Sequence, residues 1–336
     1  MPEGEPTGPV VVTGGAGAVG SELVRALLAR GREVRVIDNL SGGRREHLPA
    51  SGGHRLTLTV ADLNQPDRYA AVFEGAEELW HLAANTDIRR GTSQSRLDLD
   101  QGTLATFHVL EEARKHDVRR ALFSSSSVVY GLASVRPTPE SYGPLEVQSL
   151  YAAAKLAAEG LFSAYAYTYG FRVHIYRFAN IVGPRMNHGI LYDLFEKLRT
   201  DPTRLEVLGD GRQAKGYLRT EDCVGGMLLA ADRARAPVNI FNLGTTDQIT
   251  AGEIAKKVVA VHGGKARIEY TGGERGWVGD VPQTFLAIDK LRALGWEPSS
   301  TSAGAIDKTI AEMLAERARS TGPAAHGDRG SAATAR

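Results

Sequence analysis

The chain of 336 residues holds one cysteine, Cys223, so it cannot close an internal disulfide, and a reducing compartment, the cytoplasm, is the expected location. Its nine histidines are dispersed, and no Cys/His cluster has metal-ligand spacing; no metal site is expected. An excess of one charge is missing too. Forty Lys and Arg against 39 Asp and Glu leave a net charge of +1, which gives no field for nucleic acid or an anionic membrane surface. No apolar run is long enough to span a bilayer, and the start, MPEGEPTG, is acidic and rich in Pro and Gly, unlike a signal peptide. What the chain does have is 42 % hydrophobic residues, enough at this length for about two domains, or one with a large insertion.

Apolar runs of strand length alternate with helical patterns. Strands are expected at 9–13, 33–37, 56–60, 78–82 and 120–125, with helices at 18–30 and about 100–115 among them. That alternation is the βαβ signal of an α/β fold, a Rossmann-type doubly wound parallel sheet. A helix around Tyr151, a strand at 172–178 and a returning strand at 238–243 continue it. Between and after these, Pro and Gly interrupt 179–211, with helices near 190–198, 251–262 and 302–316, the pattern of a smaller C-terminal α/β lobe. Residues 1–8 and 319–336 have little to bury and are expected to be disordered.

Residues 10–20, VVVTGGAGAVG, put Gly14, Gly17 and Gly20 between a strand and a helix. Glycine is required where the backbone turns sharply and a pyrophosphate must come close, and the helix start, Ala18–Val19, supplies free N–H groups. Asp38 follows Gly20 by eighteen residues at the tip of the next strand. A carboxylate there can accept both ribose hydroxyls of an adenosine and repels a 2′-phosphate, which favours NAD over NADP even with Arg44 and Arg45 nearby. Asp62–Leu63 after the third strand and Leu82–Ala83–Ala84 after the fourth are further cofactor candidates.

Tyr151 and Lys155 stand four apart in an Ala-rich helical run, on one face. Lys155 is expected to draw the Tyr151 phenol down toward the range of a general base, which suits chemistry on an alcohol. Ser126 lies in FSSSSVVYG, a hydroxyl cluster at the end of the fifth strand, where ligands sit in this architecture.

Taken in order, TGGAGAVG, VIDNLSGGRRE, HLAAN, FSSSSVVYG, SLYAAAK, RFANIVGPR with NHGILYDLF, LEVLGDGRQAKGYLRTEDCV and RGWVGDVP resemble the extended short-chain dehydrogenase/reductase family. The likeness, over about residues 9–316, is strongest to its nucleotide-sugar 4-epimerases of the UDP-galactose 4-epimerase type, especially the archaeal-like branch. It implies an NAD-dependent enzyme that inverts carbon 4 of a UDP-hexose, N-acetylated or not, and works as a homodimer through the helix near 100–115 and that of Tyr151. It also implies a cofactor domain of 9–178 with about 216–244, and a nucleotide-sugar lobe of 179–215 with 245–318.

Carried onto this chain, the resemblance makes Ser126, Tyr151 and Lys155 catalytic. Asp38, Asn39, Leu40, Ser41 and Gly42 become cofactor contacts, and Asp62 with Leu63 the adenine pocket. Asn180 would meet the diphosphate, the strand with Leu205 and Val207 the nucleobase, Lys215 and Arg275 the phosphates, and His188 and Thr284 the sugar. Lys215 replaces a common arginine, and Asp100 stands where a cofactor-contacting Asn is frequent. Dehydratases and decarboxylases of the family carry an acid where this chain has Val128, and glucuronate epimerases tend to have Thr at Asn180. A silent NAD-binding sensor of the same fold would typically lack Tyr151 or Lys155.

Overall fold

The computed structural model describes residues 8–85 and 87–321. Seven strands form the main sheet: β1 (Val10–Thr13), β2 (Val34–Asp38), β3 (Leu56–Val60), β4 (Glu78–His81), β5 (Arg120–Ser126), β6 (Arg172–Phe178) and β11 (Val238–Leu243). Their order is β11-β6-β5-β4-β1-β2-β3, and every pairing is parallel. Runs such as Val10–Thr13 are buried along their whole length because helices cover both faces of such a sheet. Between β1 and β4 the direction of winding reverses, so the flanking loops diverge and leave a crevice above the carboxyl ends of the strands.

The crossover helices are α1 (Ala18–Ala29), α2 (Arg90–Ser93), α3 (Arg96–Asp98), α4 (Ala105–Lys115) and α5 (Leu150–Tyr169). Helix α1 buries Leu23, Val24, Leu27 and Leu28 on one stripe, and its start carries no side-chain cap, which leaves its N–H groups facing the crevice. Ser149 caps α5 by accepting from the Ala152 N–H at 3.2 Å, and Gly170 ends it in the left-handed region at φ 73°. The helix expected over about 100–115 is present, with one change of pitch in it. Leu99–Leu104 form a wider π-type turn before α4 begins, because Gly102 comes so close to α5 that an added Cβ would sit 2.8 Å from the Ala154 Cβ.

The smaller lobe uses short strands: β7 (Asn180–Val182) beside β10 (Tyr217–Arg219), β8 (Arg204–Val207) beside β13 (Arg267–Tyr270), and β12 (Ile249–Thr250), β9 (Ala214–Lys215) and β14 (Gln283–Thr284) as a third sheet. Helices α6 (Ile190–Thr200), α8 (Ala251–Val261) and α10 (Ser302–Thr321) bury Leu198, Ile254, Val258 and Ile306 against β8 in a core of their own, while α7 (Thr220–Arg233) and α9 (Asp289–Arg292) pack on the main sheet through Met227 and Leu291. Helix α10 reaches Thr321, so the disorder expected from 319 does not begin there; the rest of that segment, and residues 1–7, lie outside the described residues. Gly8 is tied down, its N–H donating to Glu77 at 2.7 Å. Among the described residues, no helix is long and apolar enough to cross a membrane.

Candidate active site

A cleft of about 860 Å³ runs from the Gly-rich turn across the sheet tips to β8 and α10, at the upper end of the usual size for ligand sites. Gly14, Gly17, Ala18, Val19 and Gly20 line one end. A Cβ on Gly20 would lie 2.1 Å from the Gly14 carbonyl oxygen, and one on Gly14, at φ +69°, 2.7 Å from the Ala83 nitrogen. The cradle therefore exists only with glycine at both positions. Asp38 is buried, its carboxylate accepting from the Ala16 N–H at 2.9 Å and the Leu40 N–H at 2.8 Å. Each oxygen keeps a lone pair for a ribose hydroxyl. Asn39, Ser41, Gly42, Asp62, Leu63, Leu82, Ala83 and Ala84 line the same end, whereas Leu40 contributes only its tie to Asp38. Arg44 and Arg45 are outside the cleft lining. These residues fit NAD: a glycine cradle under a free helix start, and a carboxylate at the ribose end.

Ser126, Tyr151 and Lys155 line the middle of the cleft together. Lys155 is buried, donates from Nζ to the Ser124 carbonyl at 2.6 Å, and lies 4.7 Å from the centre of the Phe123 ring and 5.8 Å from that of Tyr151. Burial lowers its pKa to about 7, with Glu159 opposing. The Tyr151 expectation is corrected. Its phenol is pushed up, not down, because loss of water and then the negative Asp98 outweigh a hydrogen bond with Ser126. Of the four serines, Ser125 donates to Glu159 Oε1 at 2.5 Å and Ser124 donates to the His81 carbonyl at 3.3 Å. Ser126, whose Oγ accepts weakly from the Val128 N–H at 3.4 Å, is the one beside Tyr151.

On the far side, Asn180, His188, Val207 and Lys215 line the cleft. Leu205 does not; its side chain is fully buried in the small lobe's core. Arg275 is exposed and outside the cleft, and Gly276 and Trp277 line it instead. Lys215 is ion-paired with buried Asp280 at 2.7 Å. Thr284 lines an adjoining hollow of about 90 Å³ with Ser126, Val128, Ala179, Asn180 and Trp277. The puzzle of Asp100 resolves, since its carboxylate pairs with Arg96 at 2.9 Å while Gln101 faces the cleft.

Several supporting residues escaped sequence reasoning. Arg177 forks onto Glu159 at 3.0 and 2.7 Å, both buried, and fixes α5 to β6. The spacing of Glu159, four after Lys155 on the same face, was the available signal. Asp98 is buried with Oδ1 accepting from Asn85 Nδ2 at 2.9 Å and Oδ2 without a partner, and burial raises its pKa. No sequence signal marks it. Among the described residues no group of His, Cys, Asp and Glu could hold a metal ion.

A doubly wound sheet with a glycine cradle at its switch point, and Ser, Tyr and Lys above the next strands, defines a dinucleotide-dependent protein of the extended short-chain dehydrogenase/reductase class. The chain belongs to the NAD dependent epimerase/dehydratase family, whose pattern matches residues 10–244. A solved UDP-galactose 4-epimerase is 41% identical, with a TM-score of 0.82 over 92% of this chain and 99% of that one. The UDP-glucose 4-epimerase of Thermus thermophilus, solved in complex with NAD, is 29% identical, with a TM-score of 0.81 over 91% and 99%. By sequence the chain is also similar to UDP-glucuronic acid decarboxylase 4 of Arabidopsis thaliana, 32% identical over 298 residues, 86% of this chain and 65% of that protein.

Proposed function

We propose that this chain is an NAD-dependent nucleotide-sugar 4-epimerase that inverts carbon 4 of a UDP-hexose through a transient 4-keto sugar. The observation that carries the reading is the meeting of Ser126, Tyr151 and Lys155 in one cleft, beside a glycine cradle, with Val128 where the decarboxylating and dehydrating members carry an acid. NAD, when bound, supplies the acceptor that takes hydride from carbon 4 and returns it to the other face. Tyr151 takes the C4 hydroxyl proton, directly or through Ser126, and later gives it back. Lys155, 5.8 Å from the centre of the Tyr151 ring, is the chain's own cation, and its charge favours the phenolate both before the proton is taken and when it is given back, against the raised proton affinity that burial gives Tyr151. Small groups at Ala83, Ala84, Ser126 and Ala179 leave the reacting ring room to turn over. Residues 9–178 with about 216–244 would carry the cofactor, and 179–215 with 245–318 the nucleotide-sugar.

Tyr151→Phe is expected to lower turnover about 100-fold or more while affinity for the nucleotide-sugar stays close to wild type. Near-normal turnover overturns the assignment. Products from a panel of UDP-, dTDP-, GDP-, CDP- and ADP-sugars, followed by NMR, test the substrate class directly. The same reading makes the chain a cytoplasmic homodimer, and three observations support it. Cys223 is free and buried. Phe107 on α4 and Tyr167 and Tyr169 on α5 are exposed, at 41%, 77% and 43%. Phe162 and Tyr165 of the same helix are spent on the chain's own core, so the dimer contact falls to these outer rings. Light scattering is expected to give twice the 36.1 kDa chain mass; a monomer rejects the pairing.

A further inference from the structure

His81 closes β4 and takes no part in the steps above. Its ring is 1 % exposed and stacks on Phe123 with centres 5.7 Å apart. Nδ1 lies 2.7 Å from Thr13 Oγ1 and Nε2 lies 3.0 Å from Thr106 Oγ1. The Thr106 hydroxyl has a single hydrogen and donates it to the Gly102 carbonyl, so toward His81 it can only accept. Nε2 therefore carries the ring proton. Burial, with the charge of Lys155 adding to it, keeps the imidazole neutral, which leaves Nδ1 bare to accept from Thr13. Thr13 Oγ1 accepts in turn from the Ala83 N–H at 3.3 Å. Every hydrogen points one way along the line Ala83, Thr13, His81, Thr106, Gly102.

One end of that line is in the cleft lining and the other abuts the helix that bears Lys155. Ala83 lines the cleft and is the backbone on which the Gly14 turn rests. Gly102 is the point where the π-type turn meets Ala154, the residue before Lys155. The two ends belong to different elements, the loop after β4 and the π-type turn before α4, nineteen positions apart in the chain.

We infer that His81, fixed as its Nε2–H tautomer, is a positioning residue that sets the spacing between the cofactor-side wall at Ala83 and the helix bearing Tyr151 and Lys155. The inference rests on the proposed reaction for its kinetic readout alone. Thr106→Val keeps the shape and removes the hydroxyl, His81→Phe keeps the stacking and removes both bonds, and Thr106→Ser keeps the hydroxyl. The first two are each expected to lower kcat about tenfold to a hundredfold with KM for the nucleotide-sugar little changed, the scale of a small misplacement of reacting groups. They should also retain less NAD on purification. Thr106→Ser should restore both properties, and the Thr106→Val/His81→Phe double variant should be no worse than the worse single one, because both cut the same line. Long-range ¹H–¹⁵N NMR on the NAD-loaded protein should show the Nε2–H tautomer at His81. Unchanged kcat and NAD retention in Thr106→Val, effects that add in the double variant, or an Nδ1–H tautomer would overturn the inference. Should His81→Phe fail to fold, the Thr106 pair and the tautomer decide. A wild-type chain without epimerase activity would remove the proposed reaction and leave NAD retention and the tautomer to judge His81.

Discussion

The two walls of the cleft are built to different tolerances. On the cofactor side the groups that would meet a ligand are the backbone of the glycine turn and one carboxylate at a strand tip, and each is already fixed: Asp38 by two N–H groups, Gly14 and Gly20 by neighbouring backbone so close that neither admits a Cβ. On the sugar side the wall is the two-residue strands β9 and β14 and the loop through Gly276 and Trp277, and the cation of β9, Lys215, is engaged by Asp280. The first wall rests on the fold and on a few fixed residues, the glycines of the turn and Asp38 at a strand tip. The second depends on individual side chains that can change without disturbing the sheet, and substrate choice is expected to reside there.

One methyl group on each side measures the contrast. Gly20→Ala drives a Cβ to 2.1 Å from a backbone oxygen that cannot retreat, whereas Gly276→Ala meets the far end of the Asp280 side chain at 3.3 Å and Leu208 at an ordinary contact distance of 3.6 Å. The first is expected to cost about 3 kcal/mol and to yield protein without NAD, and the second to stay within about 0.5 kcal/mol of wild type. Thermal melts and the cofactor content of purified protein make the comparison; equal behaviour of the two variants breaks it.

A second test separates stability from function between the walls. Lys155 has a folded pKa of about 7, lowered by burial from 10.5. A depressed folded value contributes stability that is present above the unfolded pKa and is lost as pH falls through the folded one. Lys155→Met should therefore melt like the wild type above about pH 10.5 and gain on it progressively down to about pH 7, below which the gain stays level. A gain of about 1–2 kcal/mol at pH 7, with activity lost, is expected. Melting curves with a pH-independent difference would mean that the ammonium is not the source of the strain.

The same division explains what the sequence made legible. Strands 172–178 and 238–243 come out residue for residue as β6 and β11, bounded by turn residues and rich in Val, Ile, Phe and Tyr, even though His174, Arg177, Asn239 and Asn242 are buried within them. Tyr151, Lys155 and Ser126 were readable because each sits inside a local pattern. The wider turn in the helix at 100–115 was not, since it accompanies the approach of Gly102 to Ala154, a contact set by the tertiary structure. Nor was the upward shift of Tyr151, which depends on burial and on Asp98, fifty-three residues earlier in the chain. Arg275 was assigned by motif, yet the segment after it is anchored by Asp280, which accepts from the Gly276 N–H at 3.0 Å and from Lys215, leaving the arginine in solvent.

The smallest effect is expected where the sugar-side wall is loosest. Thr284 sits on β14 and shares the 90 Å³ hollow with Ser126, Val128 and Trp277, several times the space one water needs. This hollow shares Ser126 and Asn180 with the cleft and is lined by both apolar groups and the polar Asn180, Lys215 and Asp280, a setting that can take an acetamido substituent, so N-acetylated UDP-hexoses are expected to be epimerised alongside the plain ones. Thr284→Tyr would fill it. Because a pocket rejects an extra small group by only about 1–3 kcal/mol, the change should appear as a shift in preference, about 10- to 200-fold in the ratio of kcat/KM for plain over acetylated substrate, with turnover of the plain sugar nearly unchanged. Cofactor content should also be unchanged, since Thr284 lies outside the lining of the cleft that holds the glycine cradle. If the ratio stays where it was, Thr284 faces no part of the sugar, and the looseness of this wall has to be sought at Trp277 or Ala179 instead.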